Sequence, residues 1–431
     1  MKNIKVKLKP IVKGINRVIV LKTVLFEGVE RLFFATQIGE IFYLKEEEII
    51  SFLDIKDKVI EIDKTEERGF YGLAFHPNFQ YNGLFYLHYS HKNTEGPGAD
   101  SKDKEWKDRK NKFNHIHTVE EWIYEHNTSK KKRTLLNIRR PFGNHNGFNS
   151  LNFSPESERL VLTTGDGGFG YDPFNLSQDI NEIAGKIIEL DVDKDSLVDS
   201  KKVVTRFEEL PDKILNIITI IAKGVRNISG VTYQKFNNQY IKYITNVGQG
   251  MVESIFGFIH YRPISALDIV HIKDLNQEGL VNFGWRGWEG EIPTTKEKKI
   301  IYYDEAIKIL PYRIMPIVNY YHEDKRKKKF AGTAITGVRP YLGNEIPDLA
   351  GAIIFSDLKE KNKDPARGVL AYIKADMYDY EIIDVDYDFS DEDAYFVGLG
   401  TNQNHTRLFL TTYASNTMKN THKGTIFEII G

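Results

Sequence analysis

The chain has 431 residues, 41% hydrophobic and 12% aromatic, which is enough apolar material for a packed core and unlike the composition of a disordered chain. Its 59 Lys and Arg nearly cancel 60 Asp and Glu, so no global field exists to gather nucleic acid or an anionic membrane, and any ligand is held locally. The absence of cysteine excludes disulfides, zinc-thiolate sites and thiol nucleophiles, leaving His, carboxylates, Arg or a cofactor to carry chemistry.

Met1 to Ile19 carries Lys throughout without a continuous apolar stretch, and no later run reaches membrane-spanning length. The expectation is a soluble chain with no signal peptide or transmembrane segment; its compartment is left open. Short β-rich runs follow, among them Arg17 to Phe26, Arg31 to Leu44, Leu84 to Tyr89, Thr118 to His126, Arg133 to Ile138, Arg159 to Thr164 and Lys186 to Val192. More come at Tyr240 to Thr245, Ala352 to Ser356, Gly368 to Ile373, Tyr380 to Asp386 and Arg407 to Tyr413. Gly, Asn, Asp and Pro turns separate them, so the class is all-β rather than alternating βα units.

Leu73-Ala74-Phe75, Leu151-Asn152-Phe153 and Val231-Thr232-Tyr233 each open a strand that a polar turn and a second strand follow. Their starts lie 78 and 80 residues apart, and a similar unit begins near Val397. Repetition at that scale predicts blades of four antiparallel strands arranged as a propeller, one domain over residues 1–431. Two charged stretches, Lys92 to Asn114 and Glu323 to Lys329, read as surface insertions, and Leu210 to Lys223 reads as a short packed helix after Pro211.

The segment richest in chemistry runs Gly143-Asn144-His145-Asn146-Gly147 and then Thr164-Gly165-Asp166-Gly167-Gly168. Glycines on both sides let the backbone bring a His and an Asp to a crowded strand end, the mouth of a propeller's channel. A carboxylate on one ring nitrogen would fix the tautomer and leave the other as a general base; turn stabilisation is the alternative. Gly224-Val225-Arg226-Asn227 offers a cationic fork beside an amide, with a structural salt bridge as the alternative. Asn246-Val247-Gly248-Gln249-Gly250 is a glycine turn able to present successive carbonyls, the hard oxygens that calcium prefers.

Asp191-Val192-Asp193-Lys194-Asp195 begins like an EF-hand, but Ser196 and Lys202 stand where Gly and the bidentate Glu belong. His115-Ile116-His117 puts two imidazoles on one strand face and reads as a surface pair rather than a metal site.

Taken in order, these segments resemble the soluble quinoprotein sugar dehydrogenases, the glucose/sorbosone and aldose dehydrogenase family. The match is carried by Glu67-Arg68-Gly69-Phe70-Tyr71-Gly72-Leu73-Ala74-Phe75-His76-Pro77, His145-Asn146-Gly147, Thr164 to Gly168, Gln178-Asp179 and Gly185-Lys186-Ile187. It continues through Gly224 to Asn227, Val247-Gly248-Gln249, Asn282-Phe283-Gly284-Trp285, Ile335-Thr336-Gly337, Tyr341 and Gly343.

The resemblance implies a six-bladed propeller that uses pyrroloquinoline quinone (PQQ) and calcium to oxidise an aldose or related alcohol and passes electrons to an external acceptor. In that reading His145 is the general base, Asp166 its carboxylate, and Glu67 a polar group beside the sugar. Arg226 and Asn227 contact the quinone, and the carbonyls of Gly248 and Gln249 hold calcium.

The chain departs from the family where a lysine would stand at Ala366, leaving Arg367 as the remaining quinone-binding cation there. Tyr395 to Thr406 lacks the family's late arginines, and Ile228-Ser229 replaces a proline-containing continuation. Two other readings therefore stand beside oxidation: a non-catalytic propeller serving as a binding or structural surface protein, and a calcium-dependent lactonase.

Overall fold

Strands form where β-branched and aromatic residues alternate with turn formers, and in this chain they form in sets of four. The computed structural model describes residues 4–431 apart from 63–65, 93, 195–197, 298, 324–328, 374–378 and 416–421. The first set is Val18–Phe26, Val29–Thr36, Glu40–Lys45 and Glu48–Asp54, paired in sequence order. The second is Phe70–Phe75, Leu84–Ser90, His115–Glu125 and Thr128–Arg140, and the third Leu151–Phe153, Leu160–Thr163, Ile187–Leu190 and Ile218–Lys223. Ile228–Phe236, Gln239–Asn246, Val252–Phe258 and Val318–Tyr321 make the fourth, and Ile335–Pro340, Ile353–Asp357, Val369–Ile373 and Glu381–Asp386 the fifth.

The sixth set takes three strands from the C-terminus, Tyr395–Thr401, Leu408–Tyr413 and Gly424–Ile430, and its outermost strand from the N-terminus, Lys5–Ile15. Leu8 pairs with Ile429 across that seam. The same strand pairs in parallel with the outer strand of the fifth set, Val6 opposite Val385, so the fifth and sixth blades run together as one eight-stranded sheet.

Six apolar clusters lie between successive blades, which closes the ring. Ile19 and Phe33 of the first blade meet Leu73 and Phe85 of the second, and Tyr86 and Val119 of the second meet Leu160 and Ile188 of the third. Val161 and Ile187 meet Val231 and Ile244; Ile255 and Val318 meet Val338 and Phe355; Ile354 and Leu370 meet Leu399 and Leu410. Leu21 and Phe34 meet Phe409 and Ile426, returning to the start. Radial packing of this kind leaves few free sheet edges.

Leu73, Leu151, Val231 and Val397 all stand on innermost strands, so the sequence repeat tracks the blades. Two expectations are corrected. Leu210 to Lys223 is helical only over Asp212–Leu215 and then becomes the strand Ile218–Lys223, because every residue from Ile217 to Ile221 is β-branched. His115 and His117 are fully buried rather than a surface pair. The described residues of the insertion 92–114 lie at the surface, as expected, with Trp106 buried and stacked at 5.8 Å on Phe174 as their anchor. Most of the basic run 323–329 lies outside the described residues, as do Asp195 and Ser196 of the EF-hand-like segment. No helix among the described residues is long and apolar enough to cross a membrane.

Candidate functional site

The starts of the innermost strands converge on a cavity of about 650 Å³ at one mouth of the central channel. Each blade gives at least one lining residue, for example Arg17, Glu67, Phe148, Asn227, Ile335 and Val397. Behind its wall stands His145, held at φ +56° between the second and third blades and 4% exposed. Its carbonyl occupies the space where a Cβ on Gly165 would sit, 1.8 Å away, so only glycine fits there.

His145 Nδ1 lies 2.7 Å from Asp166 Oδ1, and the Arg226 guanidinium donates to His145 Nε2 at 2.8 Å. A guanidinium can only donate, so Nε2 is the accepting nitrogen and the ring proton resides on Nδ1, where it is given to Asp166. Asp166 is fixed in turn by Gly168 N at 2.9 Å and Trp285 Nε1 at 2.8 Å. Arg226 also donates to the Val247 carbonyl at 3.0 Å and Gln249 Oε1 at 3.2 Å, with its guanidinium 5.5 Å from the Trp285 ring centre.

Glu67 holds the loop from the cavity side. Its Oε2 accepts from His145 N at 2.6 Å, Asn146 N at 3.3 Å and Asn227 Nδ2 at 3.4 Å, while no described residue donates to Oε1. Asn227 Oδ1 accepts from Gly147 N at 2.8 Å, which ties the entry to the fourth blade to the His145 loop.

Gly248 and Gln249 lie on a turn whose amides are drawn to two carboxylates. Gly248 N donates to Glu253 at 3.2 Å, and Gly250, Met251 and Val252 donate to Glu289 Oε1 at 2.7 to 3.0 Å. Glu289 Oε2 is buried without a hydrogen-bond partner. Main-chain carbonyls of a turn beside a buried carboxylate are, in chemistry, donors that suit a hard cation. Among the described residues no group of three or more His, Cys, Asp or Glu side chains is suited to a metal, so main-chain oxygens would be its principal ligands.

Six residues named from the sequence, Glu67, His145, Asp166, Arg226, Asn227 and Gln249, thus form one hydrogen-bonded assembly, and Gly248 is on the adjoining turn. Arg367 is not part of it. Its guanidinium donates to the carbonyls of Ala366 at 2.9 Å and Ser390 at 2.7 Å and to that of Glu392, in a different cavity on the fifth and sixth blades.

Sequence reasoning missed Arg140 and a histidine chain. Arg140 is wholly buried and donates to the carbonyls of His145 at 3.2 Å and Gly165 at 2.8 Å; burial pulls its pKa down to about 10. His115 and His117 both reach Asn146 Oδ1 at 3.1 Å, His117 Nδ1 faces His88 Nε2 at 3.0 Å, and His88 Nδ1 faces Ser150 Oγ at 2.7 Å. Burial drives His115 and His117 well below the ordinary imidazole pKa and His88 to about 3, with the Arg140 charge adding to the effect. The period-two placement of His115 and His117 shows that they share a face; which face cannot be read from spacing alone.

A family model described as glucose / sorbosone dehydrogenase matches residues 23–244. Curated relatives include the HIPL1 and HIPL2 proteins of Arabidopsis thaliana, 26% and 24% identical over 77% of this chain. The chain spans about half the length of these relatives, 50% and 49%. Among solved structures, the soluble aldose sugar dehydrogenase of Escherichia coli in its apo form superposes with a TM-score of 0.61 at 14% identity, over 99% of both chains. The PQQ-bound aldose sugar dehydrogenase of Streptomyces coelicolor superposes at 0.59 and 13% identity, over 99% of this chain and 98% of that one. At these identities the likeness is one of fold.

Proposed function

The chain belongs to the glucose / sorbosone dehydrogenase family, and we propose that its channel cavity binds an aldose or related polyol at Glu67 and Asn227. In this reading the site keeps the proton-accepting half of alcohol oxidation, His145 backed by Asp166, without the charge that a tricarboxylic quinone requires. The observation that carries it is the lining itself, two arginines against two glutamates around a volume large enough for a sugar.

A neutral polyol needs hydrogen-bond partners rather than net charge, and Glu67 Oε1, Asn227, Asn144 and Asn114 supply them at the cavity wall. Three quinone carboxylates would need compensating cations on leaving water. Arg68 is already paired with Glu66 at 2.5 Å and with Glu95, and Glu67 lies close enough to Arg17 to support its charge. Arg367 faces other carbonyls. Arg226, bonded to neutral acceptors, is the exception, so the cations around the cavity compensate three carboxylates poorly. A calcium ion, if bound, would be held by the Gly248 and Gln249 carbonyls and would polarise an oxygen placed against it.

The His145–Asp166 pair favours a second reading, oxidation of the sugar in which His145 would take the hydroxyl proton and an added quinone the hydride. Proton transfer to Nε2 then requires a sugar hydroxyl to take the place of Arg226 on that nitrogen. One experiment separates the two: titration of the protein with a panel of aldoses by calorimetry, beside dye reduction with PQQ and calcium added. Saturable sugar binding without dye reduction supports the binding reading. Dye reduction abolished by His145→Ala selects oxidation, and silence in both assays defeats both.

A further inference from the structure

The opposite mouth of the channel is a second cavity, about 720 Å³, built from the far ends of the innermost strands. Lys22, Asn152, Tyr233, Arg339 and Thr401 bring in the first, third, fourth, fifth and sixth blades. Among the described residues Lys22, Lys235, Arg339 and His405 are its ionisable lining groups besides tyrosine, and no Asp or Glu lines it. Glu30, outside the lining, accepts from the Gln403 amide at 2.7 Å, and Glu156 is paired with Lys242.

Arg339 is the decisive group. It is 6% exposed, and among the described residues its guanidinium has one acceptor, the Val338 carbonyl at 2.7 Å, so the rest of its fork faces the cavity. Lys22 is half-buried and donates to the Leu151 carbonyl at 2.9 Å and Asn152 Oδ1 at 2.5 Å, both neutral acceptors. Burying cations this way without a counter-charge is unfavourable, and a buried charge in a folded protein is ordinarily paired. Desolvation accordingly draws Arg339 down to about 10 and Lys22 well below the usual lysine value, each unhelped by any carboxylate; the Arg339 charge also depresses Lys22 and His405.

We propose that this mouth binds a small, multiply charged oxyanion, a phosphate ester or a polycarboxylate, clamped between Arg339 and Lys22. The planar guanidinium takes two oxygens of one group, the ammonium acts as a point charge from the other side, and Lys235 stands exposed at the rim. Thr23, Thr232, Thr401 and Asn404 supply neutral polar contacts for the remainder of such a molecule.

The test is calorimetric titration of the full chain with sodium phosphate and with sodium citrate, each against sodium chloride at the same ionic strength, with melting followed in parallel. Saturable binding and a raised Tm are expected for at least one of them. Phosphate alone identifies the phosphate class and citrate alone the polycarboxylate class. Arg339→Met should weaken binding at least ten-fold and Lys22→Met comparably, Lys235→Ala two- to five-fold, and Glu67→Gln at the other mouth not at all. Absence of saturable binding for both anions overturns the proposal. So does wild-type affinity in Lys22→Met, which is read alone if Arg339→Met does not fold.

Discussion

The two mouths of one channel are lined in opposite ways. The first has two arginines balanced by two glutamates, and nearly every polar group around it is committed to a neighbour. The second has, among the described residues, three cations and no carboxylate. Between them the channel narrows to a void of about 10 Å³ lined by Ile19, Asn149, Ser229, Thr336 and Leu399, among others, room for about one water. A balanced, internally bonded wall suits a neutral ligand recognised by geometry, whereas an unbalanced wall awaits charge. A propeller can host two such sites because each innermost strand contributes its two ends to different solvents.

The largest expected effect breaks the first mouth. Gly165→Ala would drive a Cβ into the His145 carbonyl at 1.8 Å, and Arg140 and Asp166 are bonded to the same turn. Relief requires moving that loop, so a loss of about 3 kcal/mol or more is expected, read as a lower urea midpoint, together with loss of sugar binding. Binding of phosphate or citrate at the second mouth should survive in whatever fraction stays folded.

Acid should act on the same side of the molecule. His88, His115 and His117 have folded pKa values below the unfolded 6.5, so below pH 6.5 the unfolded chain binds more protons and stability falls as pH falls. Each imidazole contributes a slope of about 1.4 kcal/mol per pH unit, down to about pH 3 for His88. Asp172 and Asp357, raised by burial to about 7, take up protons on folding over the same interval and oppose that slope, so the imidazoles are read by their NMR ring shifts, which should stay constant from pH 7 to pH 5. Ring shifts that titrate near pH 6.5 would show that the chain does not carry buried neutral imidazoles.

Glu67→Gln sharpens the comparison with less damage. The amide keeps the size but loses the charge that His145 N and Asn146 N donate to. Polyol affinity should fall about ten-fold, about 1.4 kcal/mol, by calorimetry. Anion binding at the far mouth should be unchanged; coupled loss at both mouths would mean that they are not separate sites.

Much of this was legible in the sequence, for reasons that differ from residue to residue. Leu73, Leu151, Val231 and Val397 recur because each blade needs an apolar innermost strand, so periodicity revealed the propeller. His145, Asp166 and Arg226 stood out because glycines that permit close approach flank them. Arg339 and Lys22 gave no such signal: each sits in an ordinary strand among β-branched residues, and only ring closure brings positions 22 and 339 to one cavity. His88 and Arg140 were hidden for the same reason, since their partners come from other strands and loops. Ile217 to Ile221 misled because an apolar run has no period that distinguishes a buried strand from a helix.

The smallest effect belongs to Arg367, and it tests where the cations are. The guanidinium rests on the carbonyls of Ala366, Ser390 and Glu392 and lies 5.5 Å from the centre of the Phe389 ring, all outside either mouth. Arg367→Ala removes these contacts from a half-exposed turn, for a loss of about 1 kcal/mol in the urea midpoint. Sugar affinity and phosphate or citrate affinity should both match the wild type. If either fell ten-fold, Arg367 would have to swing into a mouth when ligand is bound. The charge balance of the first cavity would then rise by one cation, which is the change that would restore a place for a quinone carboxylate.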